Sequence, residues 1–516
     1  MNSLIRTALV LLFCLIGGTA LSQPVLSPRN ISMGGGGTAY ITGYEANFIN
    51  PANLKIRDRG TNFSFGIGGA GTFYTPAMPT DNITDQFNHY RDYLDAYQPG
   101  AFTISSQEKQ ELLERNYPNK RQLSEHQHRV DAILGGVHWQ RGDHAFSLTA
   151  RARTSTRIEV GRGWYDDRFI EHRSTSVRNM DLVQQSQFMY EFSFGYAQTF
   201  DFLTGLIPRV GRVYIGLAPK FIIGGSYQNI NYDSRYWFTD EMDQPSLTHS
   251  FDYHSTGNYS QATEFYSAGG EPATAVESNF PSSFPTDYSD YTKPTGYGAG
   301  FDFGLVYLLS IGDDFSLARA GDDQVVNKSL RLGFSVTDIG FVAYSKNPFT
   351  MAQRPDTSVA PVSGTSDTRF EGSPGQYLSF FDRAGQNLNP LRQGNGEVGA
   401  QKSRFTALLP TSFNAGMLLQ LNRLKLSADL TLGLNDTAFN NTKLIGHFGV
   451  EFSPIKTIPI RLGTQLASGY PLLWSAGTGV EMEHWEFSIG AQFLSHGNTP
   501  TLELGGAAFS GLKFHF

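Results

Sequence analysis

The sequence has almost no cysteine. Its single cysteine, Cys14, lies in an apolar stretch near the N-terminus. Leu11, Leu12 and Phe13 precede it, where a lipoprotein cleavage site would have small residues. Because this stretch has the features of a cleaved signal, we expect a mature chain without a thiol. Disulfides, thiolate metal sites and cysteine nucleophiles are then excluded.

The chain also lacks an excess of positive charge. Its 40 Lys and Arg residues face 47 Asp and Glu residues, a formal net charge of −7. No basic surface is available to hold phosphates, so we expect no nucleic-acid partner. With 40% hydrophobic and 17% charged residues the chain is too apolar for disorder. No linker rich in Pro, Ser or charge divides its 516 residues, which favours one large architecture.

Long apolar runs are missing after residue 22, so no transmembrane helix is predicted. Before that point, Arg6, the apolar residues Ala8 to Ile16 and the sequence Ala20-Leu21-Ser22 have the order of a secretory signal. We therefore predict a signal peptide at residues 1–22, cleavage near Ser22 and export from the cytoplasm. Two alternatives remain for the mature chain, a soluble periplasmic protein and a membrane β-barrel.

Strict alternation of apolar and polar residues is the dominant pattern of the mature chain. From Leu424 to Leu434, the even-numbered residues are Leu or Ala, and the odd-numbered ones are Lys, Ser, Asp, Thr and Gly. Such a strand has one apolar and one polar face. The same pattern recurs in segments that begin at Phe146, Leu330, Phe448, Ile460 and Trp485. A soluble sandwich alternates too, but segments of about 10 to 13 residues fit tilted membrane strands.

The connections between these segments alternate between long and short. We predict long extracellular loops at residues 74–128, 229–296 and 345–411, with both chain ends in the periplasm, as bacterial barrels have them. The fold class is all-β: an antiparallel up-and-down transmembrane barrel of about 14 strands, or 16 if residues 248–262 add a hairpin. The final segment, Gly511 to Phe516, resembles the C-terminal signal for barrel assembly. We place the chain in the outer membrane of a Gram-negative bacterium, in contact with its lipid.

The stretch after the signal peptide is rich in glycine and contains a turn. It reads Ile31-Ser32-Met33-Gly34-Gly35-Gly36-Gly37-Thr38-Ala39-Tyr40, followed by Ala46-Asn47-Phe48-Ile49-Asn50-Pro51-Ala52-Asn53-Leu54. This resembles the N-terminal hatch of FadL-like barrels, which include hydrophobic-compound transporters and PorV-type secretion barrels. The resemblance implies a hatch at residues 23–60 inside the lumen of a barrel formed by residues 61–516. Its plug residues would be Met33, Gly34, Gly35, Gly36, Gly37, Asn50, Pro51 and Ala52.

The glycine run has an alternative interpretation as a phosphate-binding loop. It lacks the Lys of a Walker motif and follows no predicted strand. Glycine allows turns in a crowded space and Pro51 fixes one, so a plug is favoured. Deleting residues 30–53 should then open a leak, because the lumen of a barrel this wide is not filled by its own side chains.

Charged residues of both signs alternate with the lipid-facing ones. We predict that Arg331, Lys425, Asp429, Glu451, Arg461 and Glu486 face the lumen. Mixed signs favour a filled, ion-paired interior over an open porin. No Gly-x-Ser-x-Gly elbow, His-Glu-x-x-His helix or paired metal-ligand spacing occurs, so we expect no enzyme activity and no cofactor or metal. His126-Gln127-His128 is assigned to a solvated extracellular loop. A lipid-modifying enzyme without a contiguous motif stays an open alternative.

Two functions remain. The resemblance favours passive uptake of a small hydrophobic molecule through a hatch-gated lumen. Phe87, Tyr90, Tyr93, Leu94 and Tyr97 could form its extracellular groove, although their spacing equally suits a lid helix, and Ser105 to Asn116 suggests a second helix. The alternative is an accessory barrel that resembles PorV of type IX secretion systems and grips a protein partner with its long loops.

Overall fold

The computed structural model describes residues 26–57, 61–75, 123–161, 178–179, 182–200, 212–238, 245–257, 293–311, 328–353, 360–361, 403–467, 472–495 and 502–516. The predicted signal peptide, the predicted groove between Phe87 and Tyr97, and the predicted helix at Ser105 to Asn116 lie outside these residues.

The wall is a closed antiparallel barrel of 14 strands, which confirms the predicted fold class. Consecutive wall strands pair with each other, and the last pairs with the first, where Phe514 lies opposite Phe65. The strands are β1 (Phe63–Ile67 and Ala70–Thr75), β2 (Leu123–Arg141), β3 (His144–Gly161), β4 (Leu182–Phe200), β5 (Arg212–Phe238), β6 (Gly296–Ser310), β7 (Lys328–Tyr344), β8 (Ser412–Leu421), β9 (Leu424–Gly433), β10 (Leu444–Ile455), β11 (Ile458–Ala467), β12 (Leu472–Glu481), β13 (Trp485–Ser495) and β14 (Leu502–Phe509 and Leu512–His515).

Alternation of burial follows the alternation of sequence. On β10, Phe448, Val450 and Phe452 are exposed on the outside, while His447 and Glu451 are buried inside. Apolar side chains continue this exposed belt around the barrel, where a bilayer removes them from water. The outer face is therefore built for lipid. Among the described residues, no helix is both long and apolar enough to span a bilayer.

Several strands continue past the predicted strand ends at the end of the barrel where the sequence predicts the long loops. β5 has 27 residues, although about 9 to 11 suffice to cross a bilayer. Its outer part pairs with a strand at Pro245–Thr256, which also pairs with Phe349–Gln353. This extra strand extends the sheet above the wall and does not enter the ring. The barrel therefore has 14 wall strands and not 16.

The position predicted for the histidine motif is wrong. His126, Gln127 and His128 belong to strand β2 and pair with β3, whereas the sequence placed them in a loop. Polar residues continue the strand because backbone pairing does not require apolar side chains outside the bilayer. The Gln127 side chain is buried inside the barrel.

An N-terminal segment, residues 26–57, lies inside the barrel and forms short helical turns. Helix α1 (Pro28–Ser32) begins after Ser27, whose side chain accepts a hydrogen bond from the N–H of Asn30. Pro28 occupies the first helical position, where no backbone N–H is required for the helix. Two 3₁₀ helices follow, Gly43–Phe48 and Pro51–Lys55. Because nearly every residue of the segment is buried, it occupies the lumen as a packed core.

Candidate functional site: the barrel lumen

The N-terminal segment fits against glycines of the wall. A Cβ added at Gly463 would lie 2.4 Å from the backbone N of Gly34, and one added at Gly34 would lie 2.5 Å from the carbonyl O of Thr464. Gly34 also has a φ of +88°, a backbone conformation that residues with a side chain rarely adopt. On another side of the barrel, a Cβ at Gly216 would lie 2.3 Å from the backbone N of Ala52. Backbone therefore meets backbone at places that tolerate no side chain.

Polar contacts join the same segment to the wall around the lumen. The Thr38 N–H donates to Asp429 Oδ1 at 2.8 Å, and Ser335 Oγ donates to the carbonyl of Ile49 at 2.6 Å. His447 Nδ1 lies 2.7 Å from the carbonyl O of Gly34. These contacts come from β7, β9 and β10, so the segment is held by several strands at once.

The turn at Asn50-Pro51-Ala52 is fixed by its own side chain. Asn50 Oδ1 accepts from the Ala52 N–H at 3.2 Å, and Asn50 Nδ2 donates to the carbonyl of Thr38 at 3.0 Å. Pro51 begins the second 3₁₀ helix, where a missing N–H costs nothing. The turn thereby ties both halves of the segment together.

Ion pairs anchor the segment at the end of the barrel that contains the β2–β3 turn. Arg29 Nη2 lies 3.2 Å from Glu481 and 3.1 Å from Glu486, and Lys513 Nζ lies 2.8 Å from Glu45. Lys55 Nζ donates to the carbonyl of Gly142 in the β2–β3 turn at 2.7 Å. The charged side chains of the segment are thus paired with opposite charges on the wall or, for Lys55, with a backbone carbonyl.

A second network surrounds Tyr40. Arg461 Nε donates to Tyr40 Oη at 3.0 Å and to Glu451 Oε2 at 2.7 Å, and the Tyr40 hydroxyl itself donates to Glu451. Burial raises the pKa of the Tyr40 phenol well above its usual range, so the phenol keeps the proton that it donates. Lys425 Nζ pairs with the other oxygen of Glu451 at 2.9 Å.

Six buried charges form an ionic layer above the segment: Arg151, Arg153, Glu191, Lys220, Asp302 and Asp338. Arg151 Nη2 lies 2.6 Å from Glu191, Arg153 Nη1 lies 2.9 Å from Asp338, and Lys220 Nζ lies 2.7 Å from Asp302. Asp338 stands at a bulge of β7 with a φ of +57°. Three cations and three carboxylates balance, which allows their burial without net charge.

The β9–β10 connection, residues 434–443, crosses the lumen. Arg157 Nη1 donates to the carbonyls of Thr437 and Asn440 at 3.1 Å each, and Gln127 Nε2 donates to the carbonyl of Ala438 at 2.9 Å. Arg157 and Gln127 belong to β3 and β2, on the opposite side of the ring from β9 and β10. We call residues 434–443 the crossing loop. It covers the ionic layer on the side away from the N-terminal segment.

Phe439 of the crossing loop is buried inside the barrel. It packs in an apolar cluster formed by wall strands, by the residues that precede β8 and by its neighbour in the loop: Met189, Ile222, Val342, Tyr344, Ala407, Leu409 and Ala438. The guanidinium carbon of Arg153 lies 4.7 Å from its ring centroid. On the other side of the ionic layer, Arg151 lies 4.0 Å from the ring centroid of Phe48 in the N-terminal segment. The layer therefore lies between two phenyl rings.

The structure brings together most of the residues that the sequence singled out. Lys425, Glu451 and Arg461 meet in one network, Asp429 and Glu486 contact the N-terminal segment, and Arg331 Nη2 donates to Gln420 Oε1 at 2.9 Å inside the wall. The glycines 34–37, Met33 and the Asn50-Pro51-Ala52 turn are buried in the lumen.

The crossing loop is what sequence reasoning missed. A lone Phe439 among Asn435, Asp436, Asn440 and Asn441 was the available signal. It was not sufficient, because the groups that hold the loop inside come from β2 and β3.

A closed barrel with an apolar outer belt and a polar, filled interior defines an integral outer-membrane β-barrel. The chain belongs to the Family of unknown function (DUF5723), which matches residues 72–456. No curated protein matches the sequence significantly.

Solved barrels of similar architecture align with nearly the whole chain. The TodX deltaS2S3 mutant, a monoaromatic hydrocarbon channel, aligns with 96% of this chain and 99% of its own at 12% identity and a TM-score of 0.42. The Ralstonia pickettii toluene transporter TbuX aligns with 98% and 100% at 12% identity and a TM-score of 0.38. The P. putida toluene transporter TodX aligns with 97% and 99% at 9% identity and a TM-score of 0.39. The closed 14-strand barrel that the FadL-like resemblance implies is the fold observed here.

Proposed function

We propose that this barrel lets a small hydrophobic molecule cross the outer membrane passively, and that the N-terminal segment is the hatch that closes its lumen. The observation that carries the proposal is the apolar cluster around Phe439, which lies inside the lumen above the segment and next to buried charged residues. A pore for water-soluble molecules does not require a buried apolar site, whereas moving an apolar ligand from water into such a site is favourable in free energy.

The segment has the contacts that a reversible stopper needs. It is joined to the wall by hydrogen bonds and ion pairs such as Thr38 to Asp429 and Arg29 to Glu486, which water can replace one at a time. A cleft of about 60 Å³ opens beneath it, lined by residues that include Tyr44, Arg57 and His138. A small displacement of the segment would connect the lumen to this cleft.

A reversible tether tests the hatch. A Cβ at Gly490 would lie 3.3 Å from the Cβ of Ser32, close to the about 3.5 to 4.5 Å of a disulfide, so Ser32→Cys with Gly490→Cys should crosslink segment and wall. The same Cβ would lie 2.7 Å from the carbonyl O of Pro28, so the segment must shift slightly to admit it, and Gly490→Cys alone reports the effect of that shift. The mature chain is predicted to have no other thiol. Cells that express the oxidised variant should take up the hydrophobic dye N-phenyl-1-naphthylamine slowly, and reduction should restore uptake.

Single-cysteine variants under the same oxidation are the control. Equal dye uptake by oxidised and reduced double variants, with the crosslink verified on gels, would contradict a moving hatch. Dye uptake no faster than in cells without the barrel would contradict transport.

A second candidate, the PorV-like accessory barrel, is favoured by one observation. β5, Pro245–Thr256 and Phe349–Gln353 form a sheet that projects beyond the wall, as a surface for a protein partner would. Purification in gentle detergent with lipid analysis separates the two candidates. A stoichiometric protein partner supports the accessory barrel, and a bound hydrophobic small molecule supports uptake.

A further inference from the structure

The surroundings of Phe439 come mostly from outside the crossing loop. Met189 lies on β4, Ile222 on β5, and Val342 and Tyr344 on β7. Arg129 of β2 and Arg153 of β3 lie 5.7 and 4.7 Å from the ring centroid. The barrel wall therefore provides an apolar site with two cations over a ring, and the chain fills that site with its own phenyl group.

Both guanidinium groups are ion-paired as well as facing the ring. Arg129 donates to both oxygens of Asp131, and Arg153 donates to Asp338. These carboxylates keep the cations in place whether or not Phe439 is there. A ring face is negative and attracts a cation, so the site favours an aromatic ring over a saturated one and disfavours a ring that carries positive charge.

The crossing loop is attached by contacts that water can replace. Its carbonyls accept from Arg157, Gln127 and Ser155 at the extracellular side, and Asp436 at its tip is 56% exposed. Only Phe439 and Ala438 of the loop enter the apolar cluster. A ligand that takes the place of the ring would therefore restore the apolar contacts that the loop loses on leaving.

From these contacts we infer that the space of the Phe439 side chain is a binding site for a neutral or anionic ring of phenyl size, which enters as Phe439 and the crossing loop leave. The inference rests on the proposed uptake function and assigns the ligand class to a particular site. Phe439 acts there as a resident competitor, so removing its ring should tighten binding.

The test uses the purified full-length barrel in detergent and benzoate as a water-soluble probe, with binding measured by equilibrium dialysis. Phe439→Ala should bind benzoate at least about tenfold more tightly than the parent, since it no longer has to expel its own ring. Phe448→Ala is the matched control, because it removes a phenyl group that is 47% exposed on the outer face of β10. It should bind benzoate as the parent does.

Two further probes report on the two cations. Cyclohexanecarboxylate should bind Phe439→Ala several-fold more weakly than benzoate, and benzylamine should show no saturable binding. Equal affinity for benzoate and cyclohexanecarboxylate, or no gain in affinity over Phe448→Ala, would overturn the inference.

If Phe439→Ala does not assemble, Phe439→Leu leaves part of the space filled and should give a smaller gain, whose absence counts equally against the site. The tether experiment reports separately on transport. Tether-dependent dye uptake without a gain in benzoate affinity rejects this site alone, and the gain without dye uptake rejects the transport function alone.

Discussion

The backbone N–H of Thr38 donates to the Oδ1 of Asp429 over 2.8 Å, although the two residues are 391 positions apart. Asp429 is buried on the inner face of β9, and Leu430 beside it faces outward. The period of the strand thus separates a residue that contacts the N-terminal segment from one that faces outward.

Asp429→Asn should leave the barrel assembled and loosen the N-terminal segment. The amide keeps one acceptor but loses the charge and turns an NH₂ group toward the segment, so we expect a loss of about 1 to 3 kcal/mol of local stability. Hydrogen exchange of residues 36–38 measures it. Thr431→Val, two residues along the same inner face, is the control and should leave exchange unchanged. Unchanged exchange in Asp429→Asn would mean that the contact is dispensable.

Gly34→Ala should displace the segment, whereas Gly43→Ala should not. Both glycines have positive φ, +88° and +69°, so both substitutions carry similar backbone strain. Only at Gly34 does the new Cβ meet backbone, 2.5 Å from the carbonyl O of Thr464, because nothing lies within 4 Å at Gly43. Protease cleavage of the segment in purified barrels should rise for Gly34→Ala. Equal cleavage of the two variants would show that close packing of Gly34 against the carbonyl O of Thr464 is not the constraint.

Arg461→Met should destabilise the barrel more than Lys425→Met. Arg461 is fully buried, and its loss removes the cation that Glu451 and Glu481 share. Each carboxylate keeps one other cation, Lys425 or Arg29, so we expect a cost below the about 3 to 5 kcal/mol of an unpaired buried charge. The Lys425 side chain is 21% exposed, so water can substitute for part of its interaction with Glu451. The temperature at which the folded band converts to the unfolded band on gels measures the stability of each variant. The reverse ranking would contradict the burial argument.

Leu430→Arg should cost about 2 to 4 kcal/mol near the bilayer midplane and impair assembly, because a guanidinium on the lipid face cannot be hydrated. Leu430→Ile keeps the apolar surface and serves as the control. Denaturant titration of barrels refolded in lipid vesicles measures the difference. If arginine is tolerated as well as isoleucine, residue 430 does not face the hydrocarbon core.

The wall could be predicted from the sequence because alternation is a local property of each strand. The inward position of Asp429 and Arg461 followed from period two alone. The pairing of Arg151 with Glu191, by contrast, depends on the register between β3 and β4. The ends of β2 and β5 escaped prediction too, since polar residues such as Gln127 continue a strand outside the bilayer without alternating.

The crossing loop could not be predicted for a related reason. Asn435, Asp436 and Asn440 indicate turns, but turn chemistry does not say on which side of a barrel a loop folds. Its carbonyls accept from Gln127, Ser155 and Arg157, which are between 283 and 311 residues away in the chain.

Conductance in planar bilayers should reveal two obstructions in series. Residues 30–53 contain no wall strand, so a variant that lacks them should still assemble. The sequence alone predicts that this deletion leaks. With the crossing loop still bonded to β2 and β3, we instead expect only a small conductance from it.

The loop can be removed on its own, because Leu432 of β9 lies opposite Leu444 of β10 and a short Asn-Gly turn can join the two strands nearby. A barrel with this turn and an intact N-terminal segment should stay closed. The combined variant should conduct steadily, since the lumen of 14 strands is then left to its own side chains. If the deletion alone conducts as well as the combined variant, the crossing loop is no barrier. If the combined variant conducts no better than the intact protein, the segment is not the plug of this lumen.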